Sequence, residues 1–165
     1  MKKHLDVILL AGTVLLAVLM LILHSAPGLT ETAWGETVHT SLAKLINPEN
    51  GDLGVGGTIA ALIFTLVALC VTIGLLAFNL LKKASGFGGL IALGAAGLLL
   101  ITGLLFFCTR ILYVDWLAKM SGISRDYAVK MTANTALGGG AIANGIFGFL
   151  SAALLGTFGV LKIKK

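Results

Sequence analysis

Few side chains in this sequence have both the type and the spacing to do chemistry. His24, Glu36 and His39 form the one set suited to a metal ion, with Glu36 and His39 three residues apart, the spacing that places two groups on one helical face. Most surface pairs at that spacing are only solvated neighbours. His4 and His24 stand at opposite ends of one apolar run, about 30 Å apart at the helical rise, too far to share a haem or a metal. Ser121, Ser124 and Asp126 would act with His24 or His39 as a hydrolytic triad only through a long-range contact that nothing local specifies. The chain has no GxSxG, HExxH or CxxC, and Gly138-Gly139-Gly140 lacks the lysine and hydroxyl of a phosphate loop. Cys70 falls near the middle of its apolar run and Cys108 at the end of another, so a disulfide between them is not expected and both read as small apolar residues. The expectation is a protein that is not an enzyme and holds no cofactor or metal.

A second constellation consists of hydroxyls and amides embedded in apolar sequence: Thr65, Thr72, Asn79, Asn144 and Ser151. Such residues either hydrogen-bond across packed membrane helices or line a polar path. No ionisable residue is expected in the interior of the spans, because Asp6, Arg110 and the lysines all fall at their ends. That weighs against the four-span rotor proteolipids and the small multidrug exporters, which rely on a membrane-embedded carboxylate.

The elements that must position these groups follow from composition. The chain of 165 residues is 58% hydrophobic and 12% charged, far from the roughly 25% charge of a soluble domain. A hydrocarbon layer about 30 Å thick takes about 20 apolar residues per helical crossing, and four stretches are long enough. The expected architecture is an all-α integral membrane protein, a four-transmembrane-helix bundle. Its spans are residues 5–23, 55–81, 87–109 and 141–161, joined by an outer loop 24–54, an inner turn 82–86 and an outer segment 110–140. The runs are continuous rather than alternating, which weighs against a membrane barrel. The first run exceeds a secretory signal core, and His24-Ser25-Ala26 places a bulky residue at the candidate cleavage site, so a retained anchor is favoured. Lys2, Lys3, Lys82, Lys83, Lys162, Lys164 and Lys165 flank the spans on one side, which predicts cytoplasmic N- and C-termini in a cell or inner membrane. The net charge of +5 is thus a topology signal, and nucleic acid is not an expected partner.

Both outer segments are expected to carry short amphipathic helices. From Glu31 to Ile46, Trp34, Val38, Leu42 and Leu45 recur at steps of four, four and three, and a turn follows at Asn47-Pro48-Glu49-Asn50-Gly51-Asp52. In the second segment Tyr113, Trp116 and Met120 share a face, Ser124 caps a helix through Tyr127 and Met131, and Gly138 to Gly140 interrupt it before the last span. The first segment has a charge balance of −3 and the second +2, so they either pair as a cap or dock a partner. Trp34, Glu36, Arg110, Trp116 and Arg125 are the candidate contact residues. The layout resembles the claudin and tetraspan plan in topology alone: a claudin's first outer loop has tryptophans followed by two cysteines, whereas here Trp34 stands without them.

Small-residue seams complete the pattern. Gly148, Ala152 and Gly156 repeat every four residues behind Gly145, and Gly89, Ala96 and Gly103 every seven, which suits close helix packing. Asp6, Thr13 and Met20, with Ala17 and His24, make a similar seam on the first span. Abundant packing information beside absent chemistry predicts a non-catalytic membrane subunit. It would act through helix packing and outer-loop contacts with lipids, other subunits or its own copies. The alternatives are a small channel or facilitator for a neutral or weakly charged solute and, further off, a lipid- or quinone-binding protein.

Overall fold

A computed structural model describes residues 2–46, 54–81 and 86–164. The turn expected at 47–52 and most of the inner turn 82–86 lie outside them. Among the described residues, four helices are long and apolar enough to cross a membrane: α1 (Lys2–Ile22), which a single 3-10 turn prolongs through Ser25, α3 (Gly56–Leu80), α4 (Gly86–Phe107) and α7 (Gly139–Ile163). The remaining elements are β1 (Pro27–Ala33), β2 (Glu36–Ser41), α2 (Leu42–Ile46), α5 (Thr109–Ser121), α6 (Arg125–Met131) and β3 (Thr135–Leu137). The long helices form a ring in which each packs on two neighbours, in the order α1, α3, α4, α7. One end of the ring carries Lys162 and Lys164; the other carries the strands and short helices, here called the head.

The contact of α4 with α7 is the most extensive in the bundle, and the seams make it. A Cβ on Gly148 would lie 2.9 Å from Gly103 Cα, and one on Gly159 would lie 2.9 Å from the Gly89 carbonyl oxygen. Gly145 receives the Phe107 ring, which stacks on Phe149 with centroids 5.7 Å apart. Ala96 and Ala152 are buried beside them. Gly156 is looser, since a Cβ there meets only Ala96 Cβ at 3.9 Å. What presses on the glycines is therefore a helix of the same chain. Leucine and isoleucine side chains such as Ile8, Leu15, Ile63, Leu104, Ile146 and Leu150 are left on the outside of the ring.

The head departs from the all-α expectation. Residues 27–41 form a β-hairpin instead of the amphipathic helix expected over Glu31 to Ile46, and β3 adds a third antiparallel strand in the order β2-β1-β3. The helical spacing was coincidental: Trp34 and Val38 are exposed while Leu42 and Leu45 are buried, so the four do not share a face. Thr30, Thr32, Thr37, Val38 and Thr40 are β-branched and favour strand, and Trp34-Gly35 closes the hairpin with positive φ at both residues, as a type I′ turn requires. Only Leu42–Ile46 keeps the helical form.

In the second segment, Ser124 caps α6 as its sequence suggested, its hydroxyl accepting from the Tyr127 amide at 3.3 Å. Gly138 to Gly140 do not end that helix. α6 stops at Met131, β3 intervenes, and Gly138 donates its amide to the Gly28 carbonyl at 2.8 Å while capping α7. Gly138 is hence no free connector: a Cβ there would strike the Pro27 carbonyl, and one on Gly140 would come within 2.8 Å of Ala26 Cβ.

Gly148→Ala and Gly138→Ala should each destabilise the folded protein by about 1–3 kcal/mol, because backbone must move to admit the methyl. Gly156→Ala should stay within about 0.5 kcal/mol, as van der Waals contact there is already ordinary. Unfolding in mixed detergent checks the order, and equal losses at Gly156 and Gly148 would contradict the packing described.

Candidate functional sites of the bundle and the head

Threonine hydroxyls inside an apolar helix have one partner always within reach, the carbonyl a turn earlier. Thr65 donates to the Ala61 carbonyl at 2.8 Å and Thr72 to that of Ala68 at 2.7 Å; Thr13 and Thr102 do the same, and Thr58 and Thr109 donate to the carbonyls of Val55 and Phe106 three residues earlier. These threonines thus present no free hydroxyl protons, although each oxygen keeps acceptor capacity.

Asn79 is engaged differently. Its side-chain oxygen accepts from Lys162 Nζ at 3.1 Å, and Lys162 also donates to Asp6 Oδ2 at 2.6 Å and lies 5.4 Å from the Phe158 ring centroid. Asp6 stands near the start of α1, as its place at a span end implies, yet it is only 3% exposed and belongs to a buried cluster joining α1, α3 and α7. Its place on the seam with Thr13 and Met20 was the available signal, but its partner is 156 residues away.

Asn144 and Ser151 share the inward face of α7, are both 0% exposed, and have no hydrogen-bond partner for any side-chain polar atom. His24 is 8% exposed and stands edge-on to Phe106, its Nδ1 2.7 Å from the Met20 carbonyl and its Nε2 without a partner. Of the five polar residues singled out from sequence, the structure leaves Asn144 and Ser151 unsatisfied and occupies the rest.

The suggested metal set is not assembled. Glu36 and His39 lie on β2, where a separation of three puts them on opposite faces, and His39 Nδ1 is 3.3 Å from the Thr30 hydroxyl. Among the described residues no group of three His, Cys, Asp or Glu side chains is placed to hold a metal.

The contact residues proposed for the head separate into three environments. Trp34 is fully exposed at the hairpin tip, with φ +56°, among the described residues the only positive value outside glycine; exposed Glu36 adjoins it. Trp116 is turned inward, stacked on Tyr113 with centroids 5.6 Å apart over the cluster of Leu29, Leu42, Leu45 and Phe106. Arg110 reaches the Thr132 carbonyl at 3.4 Å, and Arg125 Nε bonds Asp115 at 2.6 Å, a contact that lifts the guanidinium pKa further. What unites the two segments is the backbone ladder of β1 with β3. Compared with protein-family models, curated proteins and solved structures, the chain matches none.

Lys162→Met alone should cost about 1–3 kcal/mol, since the buried Asp6 carboxylate loses a charged donor 2.6 Å away, whereas Asp6→Leu with Lys162→Met should recover part of the loss. A double-mutant cycle on unfolding in mixed detergent measures this, and additive losses would contradict the pairing. Tyr113 provides a pH test outside the spans: burial first, and the Glu31 charge second, raise its hydroxyl above 10.0. The stability linked to that raised value is complete below pH 10.0 and is lost as pH climbs through it. Alkaline unfolding of Tyr113→Phe should lack that phase, and tyrosinate absorbance follows the titration.

Proposed function

We propose that this protein is a non-catalytic membrane subunit that docks a partner protein through the hairpin tip of its head. Its lysine end faces the cytoplasm and its head the opposite side, an orientation supported by lysines at the ends of α1 and α7. The observation that carries the reading is Trp34. A bulky residue at positive φ costs about 1 kcal/mol or more, a strain that persists at functional positions when the surroundings overdetermine it. Asn or Gly would fill the same turn position without strain, and neither would display an indole. Exposed Glu31 and Glu36 flank the tip, so the partner surface should offer an apolar recess with a basic rim. The glycine seams are consumed between α4 and α7, which leaves the head as the surface on which to build an assembly.

A second reading, a facilitator for a small neutral solute, rests on Asn144 and Ser151, the buried polar side chains left without partners.

Trp34→Asn separates docking from folding. The variant should be as stable as the wild type or more so, yet lose its partner. A photo-crosslinking amino acid at position 34, activated in native membranes, should yield one dominant protein adduct, while the same group at Ile63 on the lipid-facing side should give lipid. Only lipid adducts from position 34, or an undiminished complex with Trp34→Asn, would defeat the reading.

A further inference from the structure

Contacts along the bundle fix the relative levels of its helices. Asp6 meets Lys162, a Cβ on Gly12 would meet Leu154, and one on Gly140 would meet Ala26, so α1 and α7 run antiparallel with His24 at the level of Asn144. Gly103 against Gly145 and Gly148 places Thr102 one turn deeper, between Asn144 and Ser151. On α3, Gly57 abuts Leu112 and Leu75 abuts Gly88, which brings Thr65 to that same level. Asn144 and Ser151, seven residues apart, are separated by about 10 Å of helical rise.

Apolar clusters close this layer on both sides. Toward the head lie Leu29, Leu42, Leu45 and Val55, toward the lysine end Leu10, Leu75, Leu155 and Phe158, and Met20, Ala61, Leu99 and Phe106 pack around the layer at its own level. Between them the supply of donors and acceptors is unequal. Thr65 and Thr102 have given their protons to their own backbone and offer only lone pairs. A carbonyl can only accept, so His24 Nδ1 is the protonated nitrogen against Met20, and Nε2 of the neutral ring is a second acceptor. Asn144 adds an acceptor and an NH2 with two donors, and Ser151 a hydroxyl that can donate one. Acceptor atoms in the layer therefore outnumber its donors. Among the described residues no carboxylate lies between the clusters, since Asp6 is beyond the lysine-side one, so a cation would find no counter-charge.

We propose that Asn144 and Ser151, in a layer shared with His24, Thr65 and Thr102, bind small neutral molecules that each carry at least two hydrogen-bond donors, of the size of water or ammonia. Because the two side chains are about 10 Å apart along α7, one molecule sits at each, making about three bonds as a buried water does. Leaving them bare would cost about 1–3 kcal/mol for each. The proposal does not depend on docking at the head, and it gives the facilitator reading a ligand class without requiring that the site open.

The test uses the full chain, isotope-labelled, in lipid bilayers. Solid-state NMR that transfers polarisation from water protons should reach the Asn144 side-chain amide and Ser151 as fast as exposed Thr37, and Phe158 and Leu155 much more slowly. Titration with ammonium chloride at alkaline pH separates the two ligands: a saturable shift of His24 Nε2 and the Asn144 amide assigns ammonia, and unchanged shifts with fast transfer assign water. Asn144→Leu should slow transfer at position 144 to the rate of Phe158; should that variant fail to fold, the comparison of Asn144 with Phe158 in the wild type still decides. Transfer to Asn144 and Ser151 as slow as to Phe158, with no ammonium response, would overturn the proposal.

Discussion

The fold depends on two backbones touching. In hydrocarbon a leucine gains nothing by exchanging lipid for another helix, so association needs close approach and directional bonds. α4 and α7 achieve the first by setting Gly103 against Gly148 and Gly89 against Gly159, with Gly145 as a seat for Phe107. The other helices hang on this pair. α1 joins α7 through Gly12 and the Asp6–Lys162 bond, and α3 closes the ring between α1 and α4. The same contact sets the level of every polar group on α7, so the environment of Asn144 and Ser151 follows from it.

Buried polar side chains in this bundle meet three different fates, and the distinction is chemical. Threonine can satisfy its proton within its own helix, which makes it nearly a valine with a spare lone pair. Lysine and aspartate have no such local remedy. Lys162 and Asp6 are 12% and 5% exposed at their side chains, so each charge must be met where it is buried, and their bond ties α1 to the end of α7. Asparagine is the intermediate case: its amide has two donors and an acceptor, more than its own helix can satisfy, so it must find something across the bundle. Asn79 found Lys162; Asn144 found nothing in the protein.

Much of this was legible in the sequence, because hydrophobic length and small-residue period are local properties. The spans at 55–81 and 141–161 match α3 and α7 to within two residues, and the seam residues do meet. The hairpin was not legible from periodicity. Trp34, Val38, Leu42 and Leu45 satisfy a helical spacing, and what overrides it is the pairing of β1 with β3 more than a hundred residues away. The threonines and the Trp34-Gly35 turn were the local signs of strand. Sequence identified Asn144 and Ser151 as polar groups in an apolar run but could not tell them from Thr65 and Thr72, since only geometry reveals which donors are already spent.

The head also explains how a strained tryptophan survives. A two-residue turn at positive φ would relax if its strands were free to slip, and an isolated hairpin is marginal in water. Here β1 is held on both edges, by β2 and β3, and its Leu29 is locked into a cluster with Leu42 and Leu45 above Met20 and Phe106. A slip of one residue would lift Leu29 out of that cluster and replace it with Gly28 or Thr30. The register is therefore set at the floor of the head, where apolar burial is large, and the tip inherits it. Strain at Trp34 is carried by packing at the other end of the same strand, which makes the exposed indole a consequence of the bundle beneath it rather than of its own surroundings.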